Sequence, residues 1–196
     1  TSNTALDEQQ RDMMTSVFKS QIPAMEKSDF LVMFEPVGAT AQPIVITQNE
    51  FMRRMKDMAA IQSGMAFYGE LPDSYNLIVN TDHPLSQKVI ADTESACKSE
   101  LTPILDELKT VNEEIERLQE AKKDKKDDEI PVADKEALKH AEEKAKELRA
   151  KESDILKTYA DRTPLVRQLV DLALLSNNML KGEALSKFIK RSVEML

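Results

Sequence analysis

The 196 residues contain no tryptophan, one cysteine, four glycines and only 5% aromatic side chains. Each shortage excludes a class of protein. Cys97 is alone, so no intrachain disulfide forms. With no histidine or second cysteine beside it in sequence, it reads as a small apolar residue in a reducing compartment. Four glycines are too few for a phosphate-cradling loop, and the chain has no GxSxG elbow and no zinc-ligand cluster. His83 and His140 lie far apart and lack the HxxxH spacing of a metal site, which leaves them capping or solvent-exposed roles. No stretch approaches the roughly 18 consecutive apolar residues of a membrane span, and TSNTALDEQQ lacks the basic-then-apolar order of a signal peptide. A basic excess is also missing. With 35 acidic against 27 basic residues the net charge is −8, which disfavours nucleic acid and anionic membrane surfaces, since both need a concentrated positive face. A soluble cytoplasmic protein is expected, and the start without Met reads as that of a fragment of a longer chain.

What the chain has in excess is charge, at 32%, and methionine, at ten residues. Together these point to long solvated helices around a modest core with flexible apolar side chains. Leu6, Met13, Met14, Val17, Phe18 and Ile22 keep one helical face apolar over 5–22, and Pro23 ends the run. DFLVMFEPV at 29–37, PIVIT at 43–47 and YNLIVN at 75–80 are β-branched and aromatic runs bounded by turn residues, hence three strands. Between the second and third, Asn49 is a suitable N-cap and Gly64 a suitable stop for a helix over 50–63. TDHP at 81–84 opens a further helix, with Asp82 or Thr81 as cap and Pro84 in its first turn.

Beyond about residue 92 the pattern changes. Leu101, Ile104, Leu108, Val111, Ile115 and Leu118 alternate steps of three and four, the seam of a coiled coil. EAKKDKKDDE at 120–129 and Pro131 interrupt it. The same stepping resumes with Leu138, Ala141, Ala145, Leu148, Glu152, Ile155 and Tyr159. Two seams flanking a charged breaker predict an antiparallel helical hairpin over 97–159, with arms about 27 Å long at 1.5 Å per residue. Its second arm is weakly apolar and depends on the first for helicity. After Thr163-Pro164, LVRQLVDLALL at 165–175 is apolar on nearly all sides, and a final helix over 183–196 carries Leu185, Phe188, Ile189, Val193 and Leu196 on one face.

The acidic and basic residues occur in mixed blocks typical of solvated helix faces, so the fragment is not expected to be catalytic and no metal or cofactor site is expected in it. The informative patterns concern surfaces. Phe51, Met55, Met58 and Ala59 fall at i, i+4, i+7 and i+8, with Met52, Ile61 and Met65 nearby, more apolar residues than one core-facing stripe needs. That surplus points to partial exposure as an adaptable lining for a partner, against the plainer reading of a core-facing helix. The last two helices are satisfied by packing on the preceding domain or, better, by pairing with a second copy as a four-helix bundle. The hairpin is either an inert insertion or an arm that contacts a partner.

The order strand, strand, Met-rich helix, strand, then NTDHPL at 80–85, LVDLALLSNN at 169–178 and FIKRSVEML at 188–196 resembles the C-terminal dimerisation domain of the 90-kDa heat-shock protein chaperones, the bacterial high-temperature protein G branch in particular. The family pattern Asn-Pro-x-His-Pro-Leu is met by Asn80, His83, Pro84 and Leu85, with Thr81 in place of the usual Pro. Ala173, Leu174 and Leu175 match its Leu-rich helix end, and Phe188, Arg191, Met195 and Leu196 match its last helix. The Asp-Pro step that commonly starts that helix is replaced by Lys181-Gly182-Glu183. The resemblance covers about 5–92 and 160–196 and leaves 97–159 as an insertion without a counterpart in the best-known members.

The resemblance implies an α+β domain in which a small three-stranded sheet packs with helices, the C-terminal helices form an intermolecular four-helix bundle, and the hairpin is inserted. It implies a homodimer through Leu165, Leu169, Leu172, Ala173, Leu174, Leu175, Leu185, Phe188, Ile189 and Leu196. It further implies contact with unfolded or partly folded client proteins through Phe51, Met52, Met55, Met58, Ala59 and Ile61. ATP and magnesium would belong to an N-terminal domain of the parent chain, so the fragment itself would have no ATPase. The competing reading is a coiled-coil adaptor or scaffold that acts through the 97–159 hairpin.

Overall fold

The structure, a computed structural model, describes residues 5–62, 64 and 66–196. Its first helix, α1 (Glu8–Ser20), starts where the sequence can cap it. Asp7 accepts the Gln10 N–H at 2.7 Å while the Gln10 side chain accepts the Asp7 N–H at 3.1 Å, a reciprocal box that satisfies two first-turn donors. The helix buries Met13, Met14, Val17 and Phe18. These residues meet a sheet of β1 (Ser28–Glu35), β2 (Ile44–Gln48) and β3 (Asp73–Asn80) in the order β1-β3-β2. The strands adjacent in sequence do not pair. β3 lies between them, parallel to β1 with Val32 opposite Leu77, and antiparallel to β2 with Ile46 opposite Leu77.

Val32, Ile44, Ile46, Leu77 and Val79 form the buried side of the sheet, and Phe18 meets Phe34 edge-on at 6.2 Å between ring centres. α1 packs on β1, while α6 (Pro164–Ser176) packs on β2 through a face that includes Val166, Leu169, Val170, Ala173 and Leu174. The result is a two-layer α+β core. Gln21 ties the end of α1 to Asp161 through a 2.9 Å side-chain bond.

The corner after β3 is organised by Asn80, whose side chain is fully buried. It accepts the N–H groups of Val37 and Asp82 at 3.0 and 3.1 Å, and it donates to the carbonyls of Gly38 and Gln42. One amide thus satisfies four backbone groups that burial would otherwise leave without partners. The capping expected of Asp82 or Thr81 falls instead to His83, whose Nδ1 accepts the Leu85 N–H at 3.0 Å. Asp82 is turned to the Gly38 N–H, and the Thr81 hydroxyl is buried with no partner while its N–H donates to the Glu35 carbonyl at 3.0 Å. The proline usual at this place in the family pattern could not make that last bond.

From this corner α4 (Pro84–Lys122) continues for 39 residues without a break. Pro103 lies inside it and removes the N–H that would reach the Ser99 carbonyl, while the neighbouring Thr102 hydroxyl donates to the Lys98 carbonyl at 2.7 Å. A short connection with a 3-10 turn at Asp127–Glu129 and Asp124 at φ 64 leads into α5 (Val132–Asp161).

The chain divides into two compact units, residues up to Thr93 with Ala160–Leu196, and Glu94–Tyr159. In the second unit Leu108, Ala145 and Leu148 form a buried cluster joined by Ile104, Val111 and Ile115. Leu118 and Leu138 line one cleft with Ile130 near the tip, so the arms run antiparallel. Lys144 pairs with Glu107 at 3.4 Å across the arms. Past Glu152 the buried positions are Leu156 and Ala160, while Ile155 and Tyr159 are half-buried. The buried side of α5 thus departs there from the expected Ile155 and Tyr159 by one position, and Glu152 between Leu148 and Leu156 is half-buried.

Candidate interaction surfaces

α2 (Glu50–Ala59) begins as its cap predicts, with the Asn49 side chain accepting the Met52 N–H at 3.1 Å. It ends at Ala59, short of the expected 63, and it buries no residue. With no fully buried residue, little packing energy extends it, and the Gln62 and Ile61 N–H groups turn back to the Met58 carbonyl instead. The helix is held to the sheet by polar links. Lys56 pairs with Asp73 at 2.8 Å, and the Asn49 N–H donates to the Ser74 carbonyl. On its solvent side Arg53 pairs with Glu50 at 2.6 Å, a hydrogen bond that holds the Glu50 carboxyl below its usual range.

The apolar side of α2 stays open. Phe51 is 64% exposed and Met58 39%, with Met52, Met55 and Ala59 half-buried beside them. Ile61, just past the helix end, is 85% exposed. Sequence reasoning missed Phe67, 68% exposed on α3 (Ala66–Gly69), whose Gly69 lies against Ala59. The AFYG run was too short to carry a periodic signal. Met65 lies outside the described residues. A run of exposed Phe, Met and Ile side chains on one helix and its flank is the composition of a contact surface.

The second surface is built by α6 and α7 (Gly182–Glu194). Gly182 begins α7 at φ 59, a left-handed conformation that glycine adopts without strain. α7 packs against α6 yet buries no residue fully. Ten positions were expected at a dimer contact, and the protomer divides them. Leu169, Ala173 and Leu174 lie inside its own core, Leu165, Leu185 and Phe188 are half-buried, and Leu172, Leu175, Ile189 and Leu196 are exposed. Val193 and Met195 are exposed with them.

Between the two helices lies a polar network. Asp171, whose side chain is 1% exposed, accepts from Arg167 Nε at 3.3 Å and from Arg191 Nη2, both on Oδ2. Arg191 Nε also donates to Gln168 Oε1 at 3.2 Å, and Gln168 Nε2 bonds the Ser192 hydroxyl. Asp171 Oδ1 is buried without a donor. Burial pushes the Asp171 carboxyl above its ordinary value, against the opposing pull of Arg167 and Arg191.

The other chemically interesting side chains are quiet. Cys97 is buried, and burial, aided by the Glu100 carboxylate, pushes its thiol up, which disfavours the reactive thiolate. His140 is exposed on α5. Among the described residues no group of three or more His, Cys, Asp or Glu side chains could hold a metal ion, and no helix is long and apolar enough to cross a membrane.

No family model matches the chain, and no solved structure does. Its similarity is to curated sequences. It is 46% identical over 194 residues to the chaperone protein HtpG of Bacteroides thetaiotaomicron, 47% over 191 residues to that of Bacteroides fragilis strain 638R, and 44% over 191 residues to that of Porphyromonas gingivalis. These alignments cover 97–99% of this chain, so they run through the hairpin, and the chain spans 28% of each relative's length. The resemblance first carried by Asn80–Leu85 and the last two helices thus extends along nearly the entire chain, which is similar throughout to one stretch of the HtpG chaperones.

Proposed function

We propose that this chain is the C-terminal dimerisation and client-contact domain of an ATP-dependent chaperone that assists protein folding in the cytoplasm. The observation that carries the reading is that α2 and α7, in one compact unit of a chain similar to the HtpG chaperones, bury no residue while each exposes large apolar side chains. Water-exposed faces of this composition are stabilised by a partner. For α6 and α7 the partner is a second copy, which would cover Leu172, Leu175, Ile189 and Leu196 in a two-fold bundle of four helices. For α2 it is the apolar segments of unfolded or partly folded proteins, to whose varied shapes Met52, Met55 and Met58 adapt around Phe51.

The mechanism is mechanical. ATP and magnesium act in a domain outside this chain, and dimerisation tethers two such domains, raising their effective concentration to about millimolar so that their contact becomes intramolecular. This chain's residues contribute the tether and the client surface. Sedimentation equilibrium at tens of micromolar is the test: a dimer is expected, and a monomer would sink the assignment of α6 and α7.

The alternative, an adaptor that works through the hairpin, rests on Glu94–Tyr159 being a compact unit of its own. Deleting 97–159 separates the two. Dimerisation and capture of an unfolded protein survive the deletion under the chaperone reading, and all partner binding is lost under the adaptor reading.

A further inference from the structure

We infer that Asp171 is a positioning residue: through Arg191 it holds α7 in the one orientation that leaves the Ile189–Val193 stripe facing outward, and so keeps each copy from covering its own dimer surface. The inference rests on the dimer reading above and concerns how that surface is kept available.

An amphipathic helix with no buried residue has two ways to cover its apolar side: a second copy, or a roll onto its own neighbour. Leu172 and Leu175 are exposed on α6, and Ile189 and Val193 are exposed on α7, so a single copy contains both halves of a contact. At about 100° per residue, Ile189 is one step round the helix from Phe188, which is half-buried. A roll of that size would turn Ile189 and Val193 towards α6 in the same copy. The intramolecular contact loses no translational freedom, so it competes with the contact to a second copy.

What opposes the roll is polar. Arg191, three residues from Phe188, would turn out of reach of Asp171 and Gln168, leaving a carboxylate that is 1% exposed with only Arg167 near it. Gln168 and Ser192 would lose their mutual bond in the same movement. Breaking a buried pair from one side disfavours the rolled state by about a hundredfold or more, whereas replacing the whole pair by apolar residues is often neutral or stabilising. The network has the character of an orientation device. Both guanidinium groups converge on Oδ2, and Oδ1 is left without a donor. An arrangement selected for stability alone would not bury an unsatisfied oxygen.

The experiment uses this chain with Cys97→Ser, Leu172→Cys and Val193→Cys, with and without Asp171→Leu. Asp171→Leu removes the network's one fully buried charge, and Arg167 and Arg191, both partly exposed, can turn to solvent, so the variant is expected to keep its melting temperature, to raise the dimer dissociation constant about tenfold or more, and to allow a disulfide between 172 and 193 within one copy, seen as a cross-linked species of monomer mass. Arg191→Lys, which keeps a charge but cannot bond Asp171 and Gln168 together, is expected to raise the dissociation constant by a smaller factor and serves if the leucine variant does not fold. A melting temperature that falls in step with dimer affinity, without the intramolecular disulfide, reduces Asp171 to a structural residue and overturns the inference. An unchanged dissociation constant in both variants overturns it as well. If the parent chain is monomeric at tens of micromolar the dimer reading fails separately, and the monomer-mass disulfide still reports whether Asp171 sets the orientation of α7.

Discussion

The two ends of this sequence's helical content meet the same physical demand in opposite ways. In the Glu94–Tyr159 unit, two long charged helices turn their apolar seams towards each other, and Leu108, Ala145 and Leu148 are sealed between them. In the other unit, α2 and α7 are more sharply amphipathic but bury no residue fully, and Phe51, Ile61, Ile189 and Val193 stand in water. Amphipathicity alone therefore does not say whether a helix is finished. A closed seam makes a helix self-sufficient, and an open one makes it dependent on something outside the chain.

The largest effect should come from breaking the closed side of this comparison. Leu148 is 1% exposed at the centre of the hairpin cluster. Leu148→Asp buries a charge there without a partner and should cost about 3 kcal/mol or more. Helical circular dichroism from the two arms should fall, because a second arm with Ala141 and Ala145 in its seam has little helicity of its own. Retention of the full helical signal with an unchanged melting curve would mean that the seam is not what holds the hairpin.

A smaller effect belongs to the junction of α6 and α7, where the closed core and the open surface adjoin. Asp171 has its carboxyl raised above 3.8 by burial, against the pull of Arg167 and Arg191. The folded chain then holds that proton more tightly than the unfolded chain does. Stability from this group is present in full below the ordinary carboxyl value and is lost as pH rises through the raised one. The difference in urea midpoint between the parent chain and Asp171→Asn should therefore shift against the parent as pH climbs from the ordinary carboxyl value through the raised one, and flatten above. A difference that moves the opposite way would show that the two arginines outweigh burial.

Much of this was legible in the sequence, and the reasons are local. The three strands, the Asn49 cap and the hairpin seam up to Leu148 follow from period, turn residues and capping chemistry, which act over a few positions. What depended on partners distant in sequence was not legible. LVRQLVDLALL is apolar on almost every side, so nothing in it distinguishes Leu174, which the protomer buries, from Leu172 and Leu175, which it exposes. Nothing in the run singles out Asp171, because its partner Arg191 lies twenty residues on. His83 took the cap because Asp82 was drawn to Gly38 across the corner, a competition decided by the folded loop. α2 stops at Ala59, short of 63, where the Ile61 and Gln62 N–H groups turn back to the Met58 carbonyl, a choice the Asn49 cap and Gly64 do not announce.

The smallest effects on folding should come from the open faces, and their smallness is what makes them informative. Phe51→Ser combined with Met58→Ser removes exposed carbons from α2, and Ile189→Asp places a charge on the exposed side of α7. Each should shift the folding free energy by no more than about 0.5 kcal/mol, as expected for side chains that contact little of their own protomer. Their consequences should separate elsewhere. The α2 double variant should bind a permanently unfolded, carboxymethylated protein more weakly while keeping the parent's dimer dissociation constant. Ile189→Asp should dissociate the dimer, because pairing would bury an unpartnered carboxylate, and each monomer should retain its affinity for the unfolded protein. If either substitution moved both readouts together, the two faces would be one continuous binding surface, and the division of labour between α2 and α7 would have to be abandoned.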